Sequence, residues 1–484
     1  MMPKNKNINK PKTAMHQTVH YSILEGSFSM GYELIVGVGG YFIVQLLTLL
    51  NAASFHFGLV IGIIPLAQSM QFIAARSLIL FKNKKKPTII YLLSSRLLII
   101  FLIISALVLP KSYSLYFVLI ILLLANLLFM ASQNIWNVWI AESIPHHFRG
   151  RFFAERNRWV TLISLILGAG VSIYIDLFKP DSIFYDSFRN IITNVSSLNF
   201  LQYYVNSDNL FYALLIAFGF AILFGITGVY FLTKQPAVTK ERLRTQVIKT
   251  KFFEAIKIPL RDKNFRKLLI FFGYWNFAIH TSSPYWGKYM LEILRLNFFE
   301  YWSYAALSSF VIFFAYKKWG SLVDKIGNKP VMAIAIVLSG INPLFYVFAQ
   351  AEWFWIIYIE AFGSAIMWSA ATIVTSNFVL SVTPKDEKAM YIAVLALFSG
   401  GIGFITATTS GFVCDFIPQF EFSWITFTNM QILFFIGALL RWSALIFLLP
   451  IMEDKTYPLK QLPKKVISKI RNVVVYNFNR VFHI

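Results

Sequence analysis

Long apolar runs recur along almost the whole chain, and they constrain its fold more than any other feature. A membrane-spanning helix needs about 20 predominantly apolar residues. Twelve such stretches are predicted, with ends set to within a few residues: 24–49, 56–81, 88–109, 114–141, 154–177, 208–233, 268–293, 298–319, 329–349, 353–382, 389–414 and 425–450. With 57% hydrophobic and 14% charged residues, the chain is too apolar for a soluble globular protein. We therefore expect an all-α polytopic membrane protein.

The basic residues set the expected orientation of this protein. Its net charge of +22 and pI near 9.8 would also suit a nucleic-acid-binding protein. However, the great majority of the 44 lysines and arginines fall in the two tails and in alternate loops. This asymmetry is typical of the positive-inside rule. Both termini and the central loop are therefore expected in the cytoplasm, the protein is expected in the cell membrane, and no nucleic-acid partner is predicted.

The runs divide into two halves of six. The predicted division is a cytoplasmic tail 1–23, a first half 24–233, a basic linker 234–267, a second half 268–451 and a basic tail 452–484. The linker is expected to include an amphipathic helix on the membrane surface, with a basic docking site for a partner as the alternative. Residues 145–151 align weakly with 384–390, which indicates an internal repeat. Two related six-helix units are typical of secondary transporters, which bind substrate near the midplane between them.

A short polar loop, Gly320-Ser-Leu-Val-Asp324-Lys325-Ile-Gly327-Asn-Lys329-Pro330, separates the eighth and ninth runs. Gly320 permits close approach of two helices, Asp324 places a negative charge near a helix end, and Gly327 permits a sharp turn. The flanking lysines favour an anionic membrane face. The spacing resembles the loop motif of the major facilitator superfamily, Gly-x-x-x-Asp-Arg/Lys-x-Gly-x-Lys/Arg.

Residues 20–450 resemble a prokaryotic member of that superfamily in their whole layout. Three further stretches carry the resemblance: Leu24-Glu25-Gly26 in the first span, residues 57–68 in the second, and Ser283-Pro284-Tyr285-Trp286 through Tyr289 in the seventh. The related loop of the first half, which begins at Arg76, has Leu80 and Phe81 in place of the acid of the motif. The resemblance implies two six-helix halves that alternate between inward-open and outward-open states. It does not name a cargo.

The charges near these loops predict a cytoplasmic gate. We expect Asp324 to meet Arg149 or Arg151, at the start of the fifth span, when the cytoplasmic side is closed. In the other repeat, the lysines at 84–86 would meet the acids at 386 and 387. The predicted gate residues are Gly320, Asp324, Lys325, Gly327, Arg149 and Arg151. A pair that must break is expected to be partly solvated and worth ~1 kcal/mol; the alternative is that these charges only set the topology.

Polar side chains inside the apolar runs mark candidate sites, because they are costly in a membrane. In the family that the chain resembles, spans one, four, seven and ten line a central cavity. The predicted substrate- and proton-binding residues on these spans are Glu33, Gln133, Asn134, Asn137, Asn276, His280, Glu360 and Trp368. A carboxyl group removed from water gains proton affinity, so Glu33 and Glu360 are both candidate proton carriers. The competing interpretation is a satisfied polar residue between helices. Arg441, also inside a span, has no visible acid partner.

The sequence predicts a secondary active transporter that moves a small solute by alternating access, coupled to protons and acting as a monomer. A non-transporting sensor with the same fold and a membrane-embedded transferase are the alternatives. No catalytic, cofactor or metal site is predicted, because no phosphate-binding Gly-Lys-Ser/Thr loop occurs and the adjacent His146 and His147 lack a third ligand. The expected partners are the solute, a proton and the lipid bilayer.

Overall fold

The fold is described from a computed structural model of the chain. The described residues are 10–69, 83–145, 148–195, 201–236, 252–383, 388–422 and 425–453. Several predictions concern residues outside these ranges. They are the first-half loop beginning at Arg76, the acids at 386 and 387, the histidines at 146 and 147, and most of the linker and both tails.

Nearly all described residues are helical, and we number the predicted spans in chain order. Span 1 is Lys10–Val36 with Tyr41–Leu49, span 2 is Ser54–Ser69, span 3 is Lys85–Val108, span 4 is Lys111–Ser143, span 5 is Arg149–Asp176, span 6 is Leu210–Lys234, span 7 is Lys263–His280 with Trp286–Glu292, span 8 is Phe298–Ile326, span 9 is Asn328–Phe348, span 10 is Ile356–Val382, span 11 is Lys388–Cys414 and span 12 is Asn429–Leu448. Shorter helices are Ile183–Asn194, Leu201–Tyr204 and Phe252–Arg261. A small hairpin pairs Phe420–Phe422 with Ile425–Phe427.

Ten helical segments of the described chain are long and apolar enough to cross a membrane. Spans 2 and 7 do not meet that criterion on their own. Span 2 is described only as far as Ser69, and span 7 is interrupted after His280. The all-α polytopic architecture is therefore confirmed, whereas the exact number of twelve spans stays a prediction.

The two halves have their own apolar cores. In the first half, spans 1, 3, 4 and 6 pack around residues such as Leu46, Val118 and Phe218. In the second half, one cluster around Phe271, Met332 and Phe378 joins spans 7, 9, 10 and 11. We call the membrane face at which span 1 begins and span 12 ends the tail side, and the opposite face the far side. Apolar side chains fill the inside of each half, and further apolar side chains are exposed on its outer surface, as contact with a bilayer requires.

Small residues allow the halves to meet closely along spans 2 and 11. A Cβ atom added to Gly58 would lie 2.4 Å from the carbonyl oxygen of Ala407, and one added to Gly400 would lie 2.3 Å from that of Pro65. In lipid the hydrophobic effect does not drive helices together, so close packing at small residues stabilises their association instead. Spans 5 and 8 form a second contact between the halves.

The loop between spans 8 and 9 has the predicted turn. Gly327 has φ +91°, a conformation that a residue with a side chain rarely adopts. The carboxylate of Glu453, just after span 12, accepts hydrogen bonds from the backbone N–H groups of Asn328 (3.1 Å) and Lys329 (2.9 Å). An acid at a helix N-terminus is favoured by the unpaired N–H groups there. This contact fixes the start of span 9 against the end of span 12.

Candidate functional site

The first half contains an ion pair inside its helix bundle. Arg96 of span 3 donates through Nη1 to Glu33 Oε1 of span 1 at 2.9 Å. The Arg96 side chain is 1% exposed, and its guanidinium lies 3.7 Å from the centre of the Tyr32 ring. Its Nε and Nη2 atoms have no hydrogen-bond acceptor among the described residues. Glu33, in contrast, is 29% exposed, so the pair joins a buried cation to an accessible acid.

A second ion pair links spans 1 and 5 nearer the tail side. Arg156 Nη2 lies 3.1 Å from Glu25 Oε2, and its Nε donates to Ser22. Ser29 donates to the other carboxylate oxygen at 2.9 Å. A Cβ atom on Gly26 would meet Arg156 at 2.6 Å. The Leu24-Glu25-Gly26 stretch therefore provides an acid and the space for its arginine.

Span 7 breaks at the level of the central interface. Pro284 has no N–H group and disfavours helix at the preceding residue, and a short 3₁₀ turn replaces the α-helix at Ser283–Tyr285. Ser410 of span 11 donates to the carbonyl of Thr281 at 2.5 Å, and Arg441 of span 12 donates to Ser282 Oγ at 3.2 Å. Interrupted helices of this kind supply polar backbone to transporter binding sites.

A cavity of about 230 Å³ lies against this break. Its walls come from spans 1, 2, 7 and 8 and include Gly39, Phe57, Trp286 and Tyr301. Ser283 also lines it, and the buried Oγ of Ser283 has no partner among the described residues. Our sequence prediction did not nominate Ser283 as a binding residue, although the Ser-Pro pair inside an apolar run was the signal for it.

His280 ends the first segment of span 7 and faces the other half. A Cβ atom on Gly403 of span 11 would lie 3.1 Å from the imidazole Cε1 atom and 3.0 Å from Pro65 of span 2. The Nδ1 atom of His280 lies 2.8 Å from the carbonyl of Asn276. Asn276 in turn donates to the carbonyl of Phe272 at 2.9 Å. Both side chains are half-buried and bonded to their own helix, and His280 lies beside Gly403, at the point where span 11 meets span 2.

Glu360 lies near the far side, one turn into span 10. It is buried and accepts a hydrogen bond from Tyr304 of span 8 at 2.7 Å. Arg441, whose acid partner the sequence did not reveal, is buried and forms no ion pair with a described residue. Its direct hydrogen bonds are to the carbonyl of Ser339 (3.1 Å) and to Ser282. The two candidate proton carriers thus occupy different halves in different surroundings, since Glu360 is enclosed and Glu33 is accessible.

The remaining predicted binding residues are less constrained. Gln133 and Asn134 are partly buried on span 4, Asn137 is exposed, and the Nδ2 atom of Asn134 is buried without a partner among the described residues. Trp368 packs against the apolar core of the second half. The assignment of these side chains to a substrate site stays a prediction.

The tail-side gate residues do not meet in this conformation. Arg149 donates to the backbone carbonyls of Ala141 (2.5 Å) and Ile144 (3.1 Å), at the end of span 4. Asp324 is exposed in the last turn of span 8, and a Cβ atom on Gly320 would meet nothing within 4 Å. Among the lysines at 84–86, Lys84 pairs with Glu142 at 2.8 Å. Because the gate is expected only in a tail-closed state, this arrangement leaves it a prediction.

The far side, in contrast, is closed by contacts between the halves. Both carboxylate oxygens of Asp176, at the end of span 5, accept backbone N–H bonds at 2.8 Å from Phe298 and Phe299 at the start of span 8. Asp176 is fully buried. Asp415, at the end of span 11, accepts the N–H groups of Ser54 and Phe55 at the start of span 2, each at 3.3 Å. In both cases an acid of one half caps a helix N-terminus of the other.

These two caps are related by the internal repeat. Asp176 and Asp415 are separated by the same number of residues as Pro145 and Pro384, which the repeat aligns. They differ in environment, because Asp415 is exposed. We call the two sets of contacts the far-side caps. Between the described residues, the hydrogen bonds that join the halves lie at this end of the molecule, so the structure is closed on the far side.

Other far-side contacts reinforce the Asp176 cap. Lys179 Nζ donates to the carbonyl of Leu296 at 3.1 Å, and the Tyr41 hydroxyl donates to the same carbonyl. Burial lowers the pKa of Lys179, while the charges of Asp176 and Asp181 act in the opposite direction. The loop before span 8 is therefore held by span 1 and by the end of span 5 together.

Comparison with known proteins gives a partial match to a family model and a likeness in fold. The family model described as the Major Facilitator Superfamily matches residues 318–481, about a third of the chain. No curated protein matches the chain. Among solved structures, a variant of the nucleoside transporter NupG superposes with TM-score 0.65 at 13% identity, over 91% of this chain and 100% of that one.

Two further structures show the same likeness. A D-xylose–proton symporter gives TM-score 0.59 at 13% identity, over 91% of this chain and 98% of that one. A bacterial homologue of the human lysosomal transporter Spinster, in an inward-facing and unoccupied conformation, gives TM-score 0.55 at 13% identity, over 92% and 96% of the two chains. At these identities the likeness shows the fold.

Proposed function

We propose that the chain is a member of the major facilitator superfamily and a proton-coupled secondary transporter for a small, uncharged, hydrogen-bonding solute. The family model that matches residues 318–481 and the fold shared with solved transporters support this proposal. The family consists of transporters, so the chain is not assigned to the enzymes. The tail side is the cytoplasmic side in this proposal, because the basic residues concentrate there. The conformation closed at the far-side caps is then the inward-facing state of the transport cycle.

The Glu33–Arg96 pair is the observation that carries the coupling proposal. The buried guanidinium of Arg96 has two nitrogen atoms without an acceptor among the described residues, so it depends on its carboxylate for charge compensation. Protonation of Glu33 removes that compensation and favours a rearrangement of span 1 against span 3. Glu33 is accessible enough to exchange protons in this state, whereas Glu360 is enclosed. We therefore assign the coupling proton to Glu33 rather than to Glu360.

The proposed solute class follows from the polar groups near the central interface. They are hydroxyl, amide and imidazole groups, represented by Ser283, Asn276 and His280. Such groups bind sugars or nucleosides through hydrogen bonds without needing a counter-charge. Structures with this fold include a nucleoside transporter and a D-xylose–proton symporter, and both solute types belong to the proposed class.

A proteoliposome assay tests the proposal. Purified protein is reconstituted with a pH-sensitive dye in the lumen, and uridine, D-xylose or L-fucose is added outside at low external pH. We expect at least one solute to enter together with protons. In Glu33→Gln the solute should still exchange down its gradient, but proton movement and uphill accumulation should be lost. Glu155→Gln is the matched control, because Glu155 is an exposed acid of span 5.

The result that contradicts the coupling proposal is proton-driven accumulation that persists in Glu33→Gln and is lost in Glu360→Gln. In that case the enclosed acid of span 10 carries the proton. Solute exchange without proton movement in the unsubstituted protein would identify a facilitator instead.

A further inference from the structure

A groove on the outside of the second half runs between spans 8 and 10. Its volume is about 870 Å³, and it extends from Phe310, near the middle of span 8, and Phe362, in the first two turns of span 10, to Lys325 at the tail-side end of span 8. We call it the span 8–10 groove. It lies apart from the cavity beside span 7, which is lined by other residues. Apart from Lys325, which is also one of the predicted tail-side gate residues, no residue that lines it has a role in the proposed transport cycle.

The part of the groove that lies away from Lys325 is apolar and open. Phe310, Phe314 and Phe362 line it and are 64%, 56% and 53% exposed. Its floor is fixed by Trp319, whose Nε1 donates to the carbonyl of Ile366 at 2.8 Å and so closes the gap between the helices. A groove with aromatic walls at the depth of the hydrocarbon core suits an extended acyl chain.

The tail-side part of the groove is basic. Lys317, Lys318 and Lys325 line it and are all exposed, and none of them forms an ion pair with a described residue. Asp324 is exposed next to Lys325 but is not among the lining residues. Long lysine side chains on a membrane helix extend to the headgroup level. Three cations at the end of one apolar groove favour an anion at that level.

We propose that the span 8–10 groove binds one anionic phospholipid of the tail-side leaflet. Its phosphate lies among the three lysines, and one acyl chain follows the wall formed by Phe310, Phe314 and Phe362. Charge complementarity excludes the chain's own tail and linker as the occupant, because residues 237–251 and 454–484 are themselves basic. A small soluble anion would leave the apolar wall unfilled, and a zwitterionic lipid would leave the three charges uncompensated.

Native mass spectrometry of the full-length protein tests this assignment. The protein in detergent is titrated with dioleoyl phosphatidylglycerol, with dioleoyl phosphatidylcholine, or with glycerol 3-phosphate. We expect the first retained lipid to be phosphatidylglycerol, bound much more tightly than phosphatidylcholine, with no retained glycerol 3-phosphate. Replacing the three lysines together, as Lys317→Gln, Lys318→Gln and Lys325→Gln, should weaken this first binding on the order of tenfold to 100-fold.

Two control proteins make the result specific. A triple substitution of exposed tail-side cations elsewhere, Arg261→Gln, Lys263→Gln and Arg266→Gln, should leave the first lipid bound. Phe362→Ser keeps every lysine and changes an exposed wall residue, so it should also weaken phosphatidylglycerol binding. The proposal is overturned if both triple variants lose the lipid equally, if phosphatidylcholine binds as well as phosphatidylglycerol, or if glycerol 3-phosphate alone is retained.

Discussion

Removing the charge of Asp176 should open the far side of the molecule. In Asp176→Asn one oxygen still accepts an N–H bond from the start of span 8, but the other is replaced by an NH₂ group that faces the N–H of Phe298 or Phe299. The closed state then loses one hydrogen bond to a charged acceptor and the attraction between the carboxylate and the helix N-terminus. When the halves separate, water hydrates either side chain. The substitution therefore acts chiefly on the closed state.

The size of this effect follows from the geometry of the cap. A hydrogen bond to a charged group contributes about 1.5–3 kcal/mol, and an acid at a helix N-terminus about 0.3–1 kcal/mol, or more when buried. Because Asp176 is fully buried with both bonds at 2.8 Å, we expect a loss of about 2–4 kcal/mol. This shifts the closed-to-open equilibrium by at least about 30-fold. Asp415→Asn, at an exposed site with bonds of 3.3 Å, should shift it by no more than about fivefold.

Distance measurements between spin labels report this equilibrium directly. Labels on Ile183→Cys and Trp353→Cys place one probe on each half at exposed far-side positions, in a Cys414→Ser background that removes the only native cysteine. We expect a second, longer distance to become populated in Asp176→Asn. An unchanged distribution would refute the cap as a determinant of closure, and equal effects of Asp176→Asn and Asp415→Asn would refute the argument from burial.

Two further predictions concern stability. Glu33→Gln should lower the free energy of unfolding in detergent by about 1–3 kcal/mol, because it leaves Arg96 buried without its acid. The double variant Glu33→Gln with Arg96→Gln should recover part of that loss. If the effects of the two substitutions are strictly additive, the pairing is contradicted. Gly58→Ala should destabilise by about 1–3 kcal/mol, because its Cβ would meet the other half, whereas Gly170→Ala has open space and should stay within about 0.5 kcal/mol. Thermal unfolding checks both, and equal effects at the two glycines would contradict the close packing of spans 2 and 11.

Local features of the fold follow from the sequence because they depend on neighbouring residues. Apolar runs long enough to cross a bilayer predict helices, since helices satisfy their own backbone hydrogen bonds in lipid. The positive φ of Gly327 was predicted because only glycine adopts that turn without strain. We predicted 268–293 as one continuous span and missed the break in span 7, although its cause at Pro284 is local. The superfamily resemblance predicted a fold that solved transporter structures share.

The pairing of distant side chains was decided by the tertiary structure alone. Arg96 and Glu33 lie on separate spans, and nothing in either apolar run shows which acid meets which cation. The caps formed by Asp176 and Asp415 were likewise not predicted, because each acid stands at a helix end where it could equally be solvated. Their partners are backbone N–H groups of the other half, which carry no signature in the sequence. The periodicity of the chain thus determines its helices, whereas the docking of the two halves determines which charges meet and on which side the protein is closed.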